Sequence, residues 1–156
     1  MTTVNRTEAQ EGRTVTGTAT TPPVSVIRPA LRDAPFAAEL ALWLGEGIAT
    51  HHADARDEHI RPAVVIVPEY LHGAPRTLLA DLATARWSGR TVGLVGYGGR
   101  TRARYALEDA RDALREAGAR LVGPSLGLDV ARVRASGFDV ADVVLRDLVL
   151  DELAAG

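Results

Sequence analysis

Residues 63–67, Ala63-Val64-Val65-Ile66-Val67, are apolar at every position and are bounded by Pro62 and Pro68. That pattern predicts a strand covered on both faces. Residues 91–95 read as a second buried strand of the same kind. Between the two the period becomes helical, with Leu78, Leu79 and Leu82 forming a stripe over residues 75–86 and Ser88-Gly89 ending it. After the second strand, Gly96-Tyr97-Gly98-Gly99 leads into a helix opened by Thr101. Ala103, Ala106, Leu107, Ala110, Ala113, Leu114 and Ala117 keep helical spacing there, and Gly118 stands where a C-terminal cap belongs.

The flanking regions extend this alternation. Residues 24–27 form a short β-branched run, and a helix begins near Pro35 with Phe36, Leu40, Trp43 and Leu44 on one face. Residues 45–61 are polar and rich in His and Asp, with no clear period. Residues 120–122 restart an extended segment, and residues 138–153 predict a final amphipathic helix with Asp139 as N-cap. Residues 1–23 are dominated by Thr, Gly, Glu and Arg; they bury too little to offset ordering entropy, so a disordered arm precedes one domain over 24–156. Alternating strands and helices without an internal repeat predict an α/β parallel sheet flanked by helices.

Composition narrows the function classes. The 156 residues are 46% apolar and 24% charged, ordinary for one globular domain. All 18 basic residues are Arg, and 20 acidic residues bring the net charge to -2. That balance argues against a nucleic-acid partner, which would require a basic excess. With no cysteine there is no disulfide, thiolate catalyst or sulfur-based zinc site. No apolar run approaches the ~20 residues that span a bilayer, so no membrane partner is expected. The N-terminus lacks the basic stretch and apolar core of a secretory signal, which makes a cytoplasmic location the expectation.

In open parallel sheets, ligands bind outside the carboxyl ends of the strands, where amides and helix N-termini converge. Three loops qualify: residues 28–34, 68–74 and 96–101. Around the second and third stand Val65-Ile66-Val67-Pro68-Glu69-Tyr70, Ala74-Pro75 with Leu78, Trp87-Ser88-Gly89-Arg90, and Val95-Gly96-Tyr97-Gly98-Gly99. In order and spacing, over roughly residues 24–130, this set resembles the NAD(P)H-dependent FMN reductase family, flavoproteins of flavodoxin-like fold. The resemblance implies that Pro68, Glu69, Tyr70, Leu71 and His72 cup the flavin ring and ribityl chain of FMN. It implies too that Tyr97, Gly98 and Gly99 lie along the ring edge. Glycines permit close backbone approach, and the two tyrosines offer flat apolar contact with a hydroxyl handle.

The sequence departs from that family in specific places. The family's Asn after Tyr is Leu71, and its Leu-Lys-Asn on the next helix reads Leu78-Leu79-Ala80. Its phosphate loop, rich in Gly and hydroxyls, is here Arg28-Pro29-Ala30-Leu31-Arg32-Asp33-Ala34. Pro29 removes an amide donor, leaving Arg28 and Arg32 as phosphate partners. Residues 45–62 are too short and polar for the family's second strand and its connections, which predicts a shortened sheet with residues 24–27 at its edge. Such an edge, together with apolar Leu79 where the family commonly has Lys, predicts a homodimer.

Other candidate chemistry is weaker. His51, His52, Asp54, Asp57, Glu58 and His59 do not converge at metal-ligand spacing, so a solvated linker is the reading there. His72 stands beside the expected ring site, where an imidazole is a candidate ligand contact. Arg104, Glu108, Arg111, Asp112 and Arg115 interleave as an ion-paired helix face. No serine has a Gly-x-Ser-x-Gly context. The function expected is therefore NAD(P)H-dependent reduction of FMN with transfer to a small acceptor. The alternative is a flavodoxin-like protein without FMN, acting as a partner subunit or as a cofactor-independent enzyme with Glu69, His72 and Tyr97 as acid-base groups.

Overall fold

The computed structural model describes residues 24–30, 34–50 and 61–156. The arm expected over 1–23, the His- and Asp-rich residues 51–60, and Arg32 within 31–33 lie outside the described residues. Four strands, β1 (Ser25–Ile27), β2 (Ala63–Pro68), β3 (Thr91–Gly98) and β4 (Arg120–Asp129), form one parallel sheet in the order β1-β2-β3-β4. Helices α1 (Pro35–Ala49), α2 (Arg76–Leu82), α3 (Arg104–Glu116), α4 (Val130–Ser136) and α5 (Val140–Ala155) complete the domain.

The uninterrupted apolar run of β2 splits by strand alternation into two cores. Val64 and Ile66 join Val95, Tyr97, Leu126 and Leu128 under α1 and α5. Ala63, Val65 and Val67 join Val92 and Leu94 under α2 and α3, with Trp87 wholly buried among them. Every residue of β2 is buried, which is why it carries no polar position.

This division has a topological consequence. All three crossovers step in the same direction across the sheet, yet α1 lies on the face opposite α2 and α3. The β1-to-β2 crossover therefore has the opposite hand to the other two. Parallel crossovers are right-handed in about 98% of cases. A helix on the α1 face would have the usual hand if the chain stepped outward from β1 to a further strand. Among the described residues that position is empty, so the shortened sheet and β1 at its edge agree with the sequence reading.

Several boundaries differ from expectation. The extended segment at 120–122 continues to Asp129, an edge strand that tolerates Gly123 and Pro124 where the register slips between the pairs Val92–Leu121 and Leu94–Ser125. The helix expected over 75–86 stops at Leu82, and a 3-10 turn at Ala85–Trp87 follows. The helix expected to open at Thr101 begins at Arg104. Helix α4 was not anticipated; Asp129 caps it by accepting the amides of Ala131 and Arg132. Asp139 caps α5 as expected, in a reciprocal capping box with Asp142.

Candidate functional site

The sheet brings the ends of β2 and β3 side by side, with Pro68 opposite Tyr97. Immediately beyond Pro68 the chain makes a two-residue hairpin. Tyr70 and Gly73 exchange backbone hydrogen bonds of 2.9 and 3.0 Å, and Leu71 and His72 form the tip at φ 49° and 62°. Two consecutive left-handed residues are usually Asn-Gly in such a turn, so a Leu-His pair is strained. Leu71 is fully exposed and Tyr70 is 53% exposed.

The tip is held from α3. Glu69 Oε1 accepts the Thr101 hydroxyl, while Oε2 accepts the amides of Tyr105 (3.1 Å) and Ala106 (3.4 Å). Glu69 is thus the N-terminal cap of α3, supplied from another loop because Ala103 at the cap position has no side chain able to do so. Asp109 accepts the Ala74 amide at 3.1 Å, and the His72 ring meets Tyr105 edge-on at 5.7 Å. Gly98 accommodates this arrangement: a Cβ there would lie 3.0 Å from Glu69 Cβ and 3.3 Å from the Ala103 nitrogen. Gly99 has open space around its Cα.

Tyr97 faces the opposite side of the sheet. Its ring lies 5.1 Å from Phe36 at the start of α1, and its hydroxyl is buried without a hydrogen-bond partner among the described residues. Burial, and secondarily the nearby Tyr70, push its phenol up to about 12.

Arg28 leaves β1 at a lower level. Ile27 pairs with Val65, three residues before Pro68, or about 10 Å short of the edge where the hairpin sits. Exposed Arg28 and Ala30, with half-buried Pro29 between them, border two cavities. One of about 490 Å³ lies towards Ala34 and Ala37 of the α1 side. The other, of about 240 Å³, lies towards Thr77, Asp81 and Arg86 of the α2 side.

The structure therefore gathers Pro68, Glu69, Tyr70, Leu71, His72, Tyr97, Gly98 and Gly99 at one edge of the sheet, with Arg28 set back along it. From the sequence alone Glu69 is open to a solvated or a helix-capping role as well as a flavin one, and the structure shows it capping α3. The signal was present in Ala103, a capping position without a polar side chain. Among the described residues no group of three or more His, Asp or Glu could hold a metal, and no helix is long and apolar enough to cross a membrane.

No family model matches the chain, and no curated protein matches it. Solved structures do. A flavodoxin from Streptococcus pneumonia TIGR4 is 16% identical with a TM-score of 0.61, over 85% of this chain and 97% of that one. A short-chain flavodoxin associated with a non-canonical PDU bacterial microcompartment is 17% identical with a TM-score of 0.62, over the same shares. A Fusobacterium nucleatum flavodoxin bound to flavin mononucleotide is 12% identical with a TM-score of 0.55, over 85% of this chain and 95% of that one. The parallel sheet, its two helical layers and these neighbours together establish that the chain has a flavodoxin-like fold.

Proposed function

We propose that the protein is a flavin-binding redox protein that takes FMN at the carboxyl edge of the sheet and reduces it with NAD(P)H for a small acceptor. The observation that carries this reading is the strained, solvent-facing tip at Tyr70, Leu71 and His72, clamped to α3 through Glu69. Backbone strain at non-glycine residues concentrates at functional sites. A wholly exposed leucine beside a half-exposed tyrosine offers a flat ligand apolar surface that water solvates poorly.

The residues fit FMN unevenly. At the ring end, Tyr70 and Leu71 supply apolar contact, His72 borders the same surface, and the open space at Gly99 leaves the backbone accessible. The Tyr97 hydroxyl, buried on the α1 side, has no partner among the described residues. At the phosphate end Arg28 replaces a nest of amides, since Pro29 has no N–H and Ala30 no hydroxyl. Bound there, FMN would supply hydride and electron transfer, while the chain supplies position and exclusion of water.

The test is titration of the purified chain with FMN and with riboflavin, followed by flavin fluorescence, and then by oxidation of NADH and NADPH. Weak saturable FMN binding, lowered by Leu71→Asp and by Tyr70→Ala, supports the proposal. Absence of saturable binding by either flavin would overturn it in favour of a partner-subunit role.

A further inference from the structure

A second cleft lies along the outer edge of β4, across the sheet from β1 and Arg28. Arg104, Leu107, Glu108 and Arg111 recur at three- and four-residue spacing on α3, so they share the face turned towards β4. Leu145 of α5 forms the other wall, Ser125 and Gly127 lie on the floor, and Arg102 closes the end; the volume is about 540 Å³. Ligand cavities for small molecules fall in this size range.

The charges in the cleft do not cancel. Three guanidiniums stand against one carboxylate, Glu108, which is engaged by Arg104 at 3.4 Å. Arg111 Nη2 donates to the Ser125 hydroxyl at 2.9 Å, which aims its guanidinium at the floor and leaves other N–H donors free of recorded partners. The Arg102 amide donates to the Gly99 carbonyl at 2.9 Å, while its guanidinium makes no hydrogen bond among the described residues. Its charge also reaches Asp139, whose carboxyl is held below its ordinary range first by the Asp142 amide and further by Arg132, the Ala141 amide and Arg102.

Arg102 is placed there deliberately by the backbone. Arg102 and Ala103 both adopt the left-handed region, at φ 53° and 60°. The turn is possible because β4 has glycine opposite it: a Cβ at Gly127 would overlap the Arg102 carbonyl oxygen. Such backbone strain is retained where surrounding structure enforces it, typically at ligand clamps.

We propose that this cleft binds a small organic phosphate, with the phosphate on Arg102 and Arg111 and the Ser125 hydroxyl, and an apolar or aromatic body between Leu107 and Leu145. Guanidiniums match phosphate oxygens in paired hydrogen bonds, and the leucine walls add a preference for an ester over the free ion. The proposal does not depend on flavin binding, since none of the cleft's lining residues is among those assigned to the flavin.

The experiment is isothermal titration calorimetry of the full chain with phenyl phosphate and with inorganic phosphate at low ionic strength. One phenyl phosphate per chain is expected, bound about tenfold more tightly than inorganic phosphate because its ring is buried. Added salt should weaken both. Arg102→Gln should lower phenyl phosphate affinity about tenfold without affecting folding, and Arg102→Gln combined with Arg111→Gln should abolish binding. Leu145→Ser should erase the preference for the ester while leaving inorganic phosphate unchanged. Arg115→Gln, on α3 but outside the cleft, and Arg28→Gln, at the other site, should leave affinity as it was. Equal affinity for the two probes, undiminished binding by a folded Arg102→Gln protein, or loss of binding in Arg28→Gln would each overturn the proposal, as would no saturable binding at all.

Discussion

Tyr97 combines a ring that the α1 core needs with a hydroxyl for which no described neighbour offers a partner. Leaving such a group unpaired is costly, whereas removing it can be neutral or stabilising. Tyr97→Phe should therefore change stability by less than about 1 kcal/mol in the unfavourable direction, measured by thermal melting, while weakening FMN binding if the hydroxyl contacts the cofactor. The phenol also imposes a pH dependence. Its folded value of about 12 lies above the ordinary 10.0 of a tyrosine phenol, so the folded state retains the proton longer. Its contribution to stability is complete below pH 10.0 and declines as pH rises towards about 12. In a tyrosinate absorbance titration, the phenol ionising near 12 should be the one missing from Tyr97→Phe. Glu69 makes a different prediction, because its carboxylate caps the second and third residues of α3. Glu69→Ala should cost about 1–2 kcal/mol in denaturant unfolding whether or not a ligand is present. Trp87, one of the residues carrying the family resemblance, is likewise structural: wholly buried, it donates its indole N–H to the Asp81 carbonyl at 3.0 Å.

At the level of elements, the hairpin tip stores strain that a better turn sequence would release. Combining Leu71→Asn with His72→Gly should raise stability by about 1–2 kcal/mol while lowering flavin affinity, read from melting and fluorescence titration. A gain in stability with unchanged affinity would remove the tip from the binding site. Elements with one dominant signal were legible in the chain. β2 is buried throughout and has no polar position, α3 keeps its alanine and leucine spacing from Ala106 to Leu114, and Asp139 caps α5. The second half of β4 was not legible. Gly123, Pro124 and Ser125 are turn-forming residues locally, and only pairing with β3 makes them a strand. The start of α3 was missed for a related reason. Thr101 looks like an N-cap, but its hydroxyl is given to Glu69, thirty-two residues earlier in the chain.

Across the whole molecule, parallel pairing and the two helical layers follow from the alternation of elements, whereas the hand of a crossover has no local signature. The short, polar composition of residues 45–62 indicated that a strand was missing; only the placement of α1 shows what that does to the topology. Homodimerisation belongs to this scale as well. The outer edge of β1 has no strand beside it among the described residues, and Leu79 is partly exposed on α2. Light scattering at micromolar concentration should report a dimer, and Leu79→Arg should disperse it. Among the described residues, the largest run of exposed apolar side chains, however, lies on α5 at Val140, Val144, Leu145 and Leu148. A dimer insensitive to Leu79→Arg and dispersed by Leu148→Arg would assign the contact to α5 instead.

The inverted crossover also bears on how the native state opens. β1 contributes only three residues to the sheet and is paired on one side, while β2 and β3 are paired on both. Joined to the remainder by a connection of unfavourable hand, β1 and α1 form the unit most easily released without loss of the rest. Native-state hydrogen exchange should accordingly find the β1 amides opening sub-globally, at lower free energy than those of Val64–Val67, whose exchange requires global unfolding. Because Arg28 follows directly from β1, a ligand whose phosphate rests on Arg28 would slow exchange across that entire unit, so cofactor occupancy could be read from amides that never touch it.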